Sequence, residues 1–325
     1  MNKTVLITGG SGLIGTNLSE LLIGEGYNVN HLSRTKTGKE KYKTFTWDIE
    51  KGVIESEAVQ SADYIVHLAG ANIAAKRWTD KRKKKILESR TESSDLIYSK
   101  LAEGNHHVKA VISASGVGIY GAYTGDTLLT EESNFGNDFL AEVSKKWEAG
   151  IERIQTLGIR VVRLRIGIVL AKEGGALPKL LQPIKFGVGA PLGSGNQYYS
   201  WIHIYDLCRI FQEAIKNESM QGAYNAVAPN PLTNKDFTKV LASKVGRPLI
   251  LPNIPSFAMK MILGELSNMV LGGNKVSSKK IKSEGFKFTF NDFGEALENI
   301  LMNKKKNNNA EVVETGNKKI EIKDT

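Results

Sequence analysis

The residues best placed to do chemistry stand at the start of the chain, in Val5-Leu6-Ile7-Thr8-Gly9-Gly10-Ser11-Gly12-Leu13-Ile14-Gly15. A short apolar run ends in glycines spaced G-x-x-G-x-x-G. A helical pattern follows at once, with Ile14, Leu18, Leu21 and Leu22 on one face. Strand, glycine turn and helix in that order make a phosphate cradle. Gly9 permits the tight turn, Gly12 lets backbone approach a pyrophosphate, and Gly15 lets the helix pack close to the strand. The helix N-terminus, with Leu13 and Ile14 in its first turn, offers free N–H groups and partial positive charge to the phosphates.

The next strand, Tyr27 to Leu32, ends in Ser33-Arg34, with Lys36 nearby. An NAD site places a carboxylate here, roughly 20 residues past the glycines, to bind the ribose 2′-OH. This chain has no acid at that point. A hydroxyl and a planar guanidinium suit a 2′-phosphate instead, so NADP is the expected cofactor. His31 reads as an ordinary strand residue. A third strand, Thr44 to Trp47, closes on Asp48, which joins the expected cofactor set. A fourth, Tyr64 to Ala69, runs into Gly70-Ala71-Asn72, small residues against which a cofactor can lie.

These groups need elements to hold them. A basic helix is expected over 80–103, containing Ser89-Arg90. A strand over 110–115 ends in Ser113 and Ser115, with Tyr120 beyond. A helix covers 138–157 and a sixth strand 159–165. Strands alternating with helices imply a doubly wound parallel α/β sheet, with ligands beyond its carboxyl ends. The second half changes texture. Residues 174–200 are rich in glycine and proline and read as a long loop with a short helix. A strand then runs from Trp201 to Tyr205 through His203, and Asp206 is expected to N-cap the next helix. The stripe Phe257, Met261, Ile262, Leu266 and Met269 reads as the core face of one amphipathic helix over 255–271.

Composition narrows the function classes. With 325 residues, 41% hydrophobic, the chain can build one large α/β domain with an appendage, or two domains. No apolar run is long enough to span a membrane, and the N-terminus lacks a signal-peptide core. Cys208 is the single cysteine; this usage suits a reducing cytoplasm. The net charge of +10 sits largely in Lys81-Arg82-Lys83-Lys84-Lys85 and in a polar tail over 303–325, expected to be disordered. The first cluster reads as a solvated helix face. No aromatic residues interleave with it, so no nucleic-acid function is expected. No metal-ligand spacing occurs.

Taken together, Thr8 to Gly15, His67-Leu68-Ala69-Gly70-Ala71-Asn72-Ile73, Arg77-Trp78 with Ser89-Arg90, and Ser113-Ala114-Ser115 with Tyr120-Gly121 form a specific pattern. Phe139-Leu140 with Trp147-Glu148, Leu192 to Gly195, Ser200 to Ile204, and Ala228-Pro229 extend it. The chain resembles the extended short-chain dehydrogenase/reductases. Within them it is most similar to an epimerase-family branch with a C-terminal domain of unknown function. The resemblance implies a Rossmann-like NADP-binding domain over 1–170, its core completed by about 200–228. It also implies a smaller C-terminal substrate domain over 171–302, and cofactor contacts from Ser33, Arg34, Leu68, Ala69, Arg90 and Glu148.

That superfamily's chemistry uses a Tyr-x-x-x-Lys pair, the lysine lowering the phenol's pKa so that it can exchange a proton as hydride moves. Lys145 stands in place, but four residues before it is Ala141. Ser115, at the usual serine position, Tyr120 and His203 are the candidates to take over. The implied activity is that of an NADP-dependent oxidoreductase or epimerase-like enzyme on an unidentified small molecule. The alternative is a non-catalytic NADP(H)-binding regulatory or sensor protein. Monomer and homodimer both stay open.

Overall fold

Val5, Leu6 and Ile7 are buried in succession because the first strand lies in the middle of a sheet covered on both faces. The structure, a computed structural model, describes residues 2–302; the tail expected to be disordered lies outside the described residues. Strand β1 (Thr4–Thr8) leads through α1 (Leu13–Gly24) to β2 (Asn28–Ser33) and on to β3 (Lys43–Asp48). A short antiparallel β4 (Val53–Ile54) and α2 (Ser56–Gln60) turn the chain back. β5 (Tyr64–His67) then pairs on the other side of β1. α3 (Asp80–Ala102) leads to β6 (Ala110–Gly116). Beyond it come β7 (Tyr123–Leu129), α4 (Phe139–Glu152) and β8 (Arg160–Ile166). The second half contributes β9 (Ile168–Leu170), α5 (Leu177–Lys185), β10 (Tyr198–Tyr199), β11 (Trp201–His203), α6 (Ile204–Lys216) and β12 (Gly222–Ala226). β13 (Leu232–Thr233), α7 (Asn234–Lys244), α8 (Ser256–Leu263), α9 (Ser267–Leu271), β14 (Gly273–Val276), α10 (Lys279–Ser283) and α11 (Phe293–Met302) complete it.

Eight strands form one sheet in the order β12-β8-β6-β5-β1-β2-β3-β4, parallel throughout except at β4. The fold is therefore the expected Rossmann-like α/β architecture. From β1 the chain winds outward one way to β3, and from β5 the other way to β12. The crevice beyond the ends of β1 and β5 is the point where the winding reverses. α1 packs on α6, and α3 on α4. A separate core gathers Trp201, Phe237, Phe293 and Leu297 around α7 and α11.

Several details depart from the sequence reading. The strand from Trp201 stops at His203, whose side chain N-caps α6 by accepting the Tyr205 N–H. Asp206, expected as that cap, sits in the first turn and accepts the backbone N–H groups of Thr289 and Phe290. The stripe over 255–271 is not one core helix. Gly264, at φ +61°, separates α8 from a 3-10 turn and α9. α8 has no buried residue, and Phe257, Met261 and Ile262 face solvent. The helix over 138–157 ends at Glu152, and residues 153–157 tighten into a 3-10 turn. Strands β7 and β14, absent from the sequence reading, pair with each other across the chain.

Candidate functional site

The glycine turn sits where two backbones meet. Gly9 has φ +69°, and a Cβ there would lie 3.1 Å from both Leu68 C and Ala69 N at the end of β5. The Leu68 and Ala69 N–H groups both donate to the Thr8 hydroxyl at 3.1 Å, which fixes that crossing. Gly15 meets the backbone of Gly10, so α1 can approach only without a side chain. Gly12 N-caps α1 with no side-chain cap, and no acid lies in its first turn. The first-turn N–H groups of α1 are thus left for an anion.

Beyond this turn runs a groove of about 470 Å³. Of the expected cofactor residues, Gly9, Ser33, Arg34, Ala69 and Gly70 line it. Sequence reasoning missed three others. His31 projects over Gly10 and bonds to Ser19 at 2.8 Å, so Gly10 is as constrained as the motif's other glycines. Lys85 and Ser89 reach the groove from α3, one turn apart on the same face. The i, i+4 spacing of Lys85 and Ser89 before Arg90 was the available signal; the surrounding run of lysines hid it.

The groove is cationic and unsatisfied. Among the described residues no hydrogen bond or ion pair engages Arg34 or Lys85. Lys36, by contrast, is tied to Glu55 at 2.9 Å. Arg90 is buried beneath Gly70, where a Cβ would touch its guanidinium at 3.0 Å. It donates to the carbonyls of Ala71 and Ile86, stacks over Trp147, and leaves Nε without a partner. No carboxylate pairs with it among the described residues. Burial, helped by repulsion from Arg82, lowers its pKa to about 10. A buried cation with an open donor, two free cations and an uncapped helix start fit a phosphate-bearing dinucleotide.

The remaining expected contacts lie elsewhere. Asp48 turns away: its carboxylate accepts the Lys51 N–H at 3.1 Å and pairs with that lysine's ammonium, while its neighbours Trp47 and Ile49 line the groove. Leu13 lines a second crevice on the flank of α1, and so does His203. The two cavities share no lining residue.

At the ends of β6 and β8 lies a different kind of site. Glu148, on α4, receives Arg165 through two bonds, at 2.9 and 3.0 Å, and the Ser115 hydroxyl at 2.7 Å. Arg165 also donates to the Tyr120 hydroxyl, which donates to Asn225 at 2.7 Å. All five side chains are buried. Burial, opposed by Arg165, pushes the Tyr120 phenol up. Glu148, expected to touch cofactor, is thus the hub of an internal ion pair. Ala141, where the superfamily's tyrosine would stand, is fully buried. Lys145 donates to the Gly136 carbonyl at 3.2 Å. No described helix is long and apolar enough to cross a membrane.

Residues 5–226 match the family model of the NAD dependent epimerase/dehydratase family, and residues 254–300 match a domain of unknown function, DUF1731. Epimerase family protein YfhF of Bacillus subtilis is 34% identical over 93% of this chain and 99% of its own. A crystal structure of human epimerase family protein SDR39U1 with NADPH is 33% identical, with a TM-score of 0.83 over 92% of this chain and 99% of that one. A Corynebacterium glutamicum structure described as a nucleoside-diphosphate sugar epimerase is 34% identical, with a TM-score of 0.76 over 93% of this chain and 58% of that one.

Proposed function

The chain belongs to the NAD dependent epimerase/dehydratase family, and on that premise we propose that it binds NADP(H) and acts as an oxidoreductase on a small molecule. The observation that carries the cofactor assignment is Arg34, a guanidinium with no partner among the described residues just past the end of β2, where an NAD site would place an acid. The human relative crystallised with NADPH supports the same reading. Arg34 and Ser33 would hold the 2′-phosphate, with Lys85 on the same groove's lining. The first turn of α1 would take the pyrophosphate. When bound, the cofactor supplies hydride transfer at its nicotinamide.

With alanine at position 141, the proton falls to Ser115. Its hydrogen points at Glu148, which leaves the oxygen's lone pairs free to accept from a substrate hydroxyl. Arg165 pairs with Glu148 at 2.9 Å and fixes its carboxylate against Ser115, so that Ser115 and Glu148 together form a proton relay. Tyr120 orients Arg165 from the far side.

A second reading, binding without turnover, is favoured by one observation: the Ser115 and Tyr120 hydroxyls both donate inside the network. NADPH oxidation across a panel of carbonyl compounds separates the two readings, since the sensor reading expects none with any of them. The cofactor assignment is tested by calorimetric titration of wild type and Arg34→Ala. A charge-assisted hydrogen bond contributes roughly 1.5–3 kcal/mol, so NADPH should weaken by about ten- to a hundredfold while NADH barely moves. Equal losses for the two cofactors would remove Arg34 from the site.

A further inference from the structure

Helix α8 leaves its apolar side chains in water. Phe257, Met261 and Ile262 are 69%, 72% and 64% exposed. Phe257, Lys260 and Met261 are neighbours on one face of the helix, at i, i+3 and i+4. The exposure continues into the adjoining chain. The Ile254 N–H donates to the Pro191 carbonyl and the Gly193 N–H to the Ile254 carbonyl, each at 2.8 Å. Leu192 and Ile254 form a parallel bridge there, so the segment with Phe186 and Val188 enters it beside the one with Ile250 and Leu251. Those four side chains are exposed as well. Apolar side chains exposed as a group, rather than singly, mark an interaction surface. None of these residues lines the cofactor groove or the crevice on the flank of α1.

The charge around the patch has one sign. No aspartate or glutamate occurs over 64–79, 174–205 or 237–264. The loop after β5 reaches α8 through Arg77, which donates to the Met261 carbonyl at 2.5 Å. It reaches α5 through the Ala74 carbonyl, which accepts from Lys179 at 3.2 Å. Among the described residues no ion pair engages Lys76, Arg77, Lys185 or Lys260, and all four are exposed. The carboxylates that border these segments face other groups. Asp80 and Glu265 both face Lys83, at 3.7 and 2.9 Å. Asp236 pairs with Lys239, and Glu298 of α11 with Lys244. Asp63 and Asp206 accept backbone N–H groups, from Thr4 and from residues 289–290. Glu173 lines the crevice on the flank of α1.

We propose that this face docks on an anionic phospholipid surface, with Phe257 and Met261 among the acyl chains and Lys76, Arg77, Lys185 and Lys260 at the headgroup phosphates. A second copy of the chain would bring the same cations, and the tail over 303–325 is itself cationic in composition, so neither complements the face. A bilayer supplies apolar depth and negative charge in adjacent layers, which is what an amphipathic helix with a basic border requires. Lysine and arginine stems can lie along the apolar layer while their charges stay with the headgroups. The docking is peripheral, because no described helix can cross a bilayer. It is independent of the cofactor assignment.

The test floats the full chain with vesicles of phosphatidylcholine alone and of phosphatidylcholine mixed with phosphatidylglycerol. The chain should bind the mixed vesicles at least about tenfold more tightly than the neutral ones, and the preference should shrink as salt rises. The variant Phe257→Ser, Met261→Ser, Ile262→Ser should weaken binding to the mixed vesicles about tenfold or more, with far-UV circular dichroism unchanged. Lys76→Glu with Lys260→Glu should weaken it similarly and flatten the salt dependence. If the triple variant unfolds, Phe257→Trp decides: brominated acyl chains in the mixed vesicles should quench the fluorescence it adds. Equal binding to the two vesicles, unchanged binding of the folded triple variant, or no quenching in Phe257→Trp overturns the lipid assignment. Self-association in sedimentation equilibrium that the triple variant abolishes also overturns it, in favour of a second copy. Binding of a mixed glutamate–tyrosine polypeptide that the triple variant abolishes overturns it in favour of an acidic protein.

Discussion

Two polar regions lie near each other at the strand ends, and they obey opposite rules. Around the groove, no hydrogen bond or ion pair among the described residues engages Arg34 or Lys85, and Arg90 is buried with an open Nε and no carboxylate among those residues. Around Glu148, the charges and hydroxyls are answered: Ser115, Arg165, Tyr120 and the Asn225 oxygen close a chain of hydrogen bonds, and of these groups Asn225 Nδ2 is left without a partner. Buried charge is expensive when unpaired. A cation left in that condition marks a place where something else completes the pairing, whereas the closed network spends its polarity on shape. Residue type alone misleads here. Serine and tyrosine at a strand end look reactive, and a lysine run looks solvated, yet the internal partners are on the first and the open valences on the second.

The comparison can be broken most sharply at Arg165. Replacing it with methionine leaves Glu148 in the interior with only the longer Arg163 contact at 3.6 Å, and loss of the main partner of a buried pair costs about 3 kcal/mol. Urea unfolding should show that loss, and the double variant Glu148→Leu, Arg165→Met should recover most of it. A single variant as stable as wild type would mean that the network does not hold the strand ends together.

Acid should erode the same interior next. His67 is buried between Thr8 and Ser93, and burial, aided by Arg90, lowers its pKa to about 3. The unfolded chain takes up a proton near pH 6.5 while the folded one stays neutral, so stability falls as pH drops from about 6.5 towards 3. His203 behaves likewise down to about 4. At pH 5 each histidine should have withdrawn roughly 2 kcal/mol. His67→Asn should flatten the profile between pH 7 and pH 5; an unaltered slope would assign the acid sensitivity elsewhere.

Arg90→Met should do the reverse of Arg165→Met. Stability should change by about 1 kcal/mol or less, because no ion pair is lost, while NADPH affinity falls about tenfold. Thermal melts paired with calorimetry give both numbers, and a large stability loss with intact affinity would place Arg90 among the structural groups. The smallest effect is expected at Lys85, on the rim. Lys85→Ala should weaken NADPH roughly threefold at low salt and less at high salt, because exposed charges are screened. Titration at two ionic strengths checks it, and a salt-independent loss would point to packing.

The fold was legible where the signal is local. The unbroken apolar strands, the helical periods between them and the glycine turn each depend on neighbours in sequence, and they stand where the pattern put them. The groove lining was legible in Ser33-Arg34, because a strand end and a missing acid are both visible locally. What failed depends on distant partners. Glu148 meets Arg165 only after α4 folds across β8, so its burial could not be read from its own segment. The methionine stripe suggested a core helix, but among the described residues nothing buries the side chains of α8. Asp206 had the residue type for a cap, yet it is used to hold residues 289–290, while His203 caps the helix instead.

That last arrangement bears on how the molecule is made. Strand β12 closes the edge of the large sheet against β8, and Phe286 and Phe288 belong to the same core as Val5 and Ile65. Asp206 receives its partners from Thr289 and Phe290. During synthesis, then, the first half of the chain leaves the ribosome with one sheet edge open and part of its apolar interior still untranslated. At about 5–20 residues per second, the interval between Ile166 and Phe290 lasts on the order of ten seconds. Until β12 emerges the nascent chain presents an unpaired strand to the cell, and until residue 290 it presents an incomplete apolar interior, so its dependence on chaperones should peak in this interval. Slow codons placed inside the interval would lengthen the exposure, and the same codons placed after residue 290 would not.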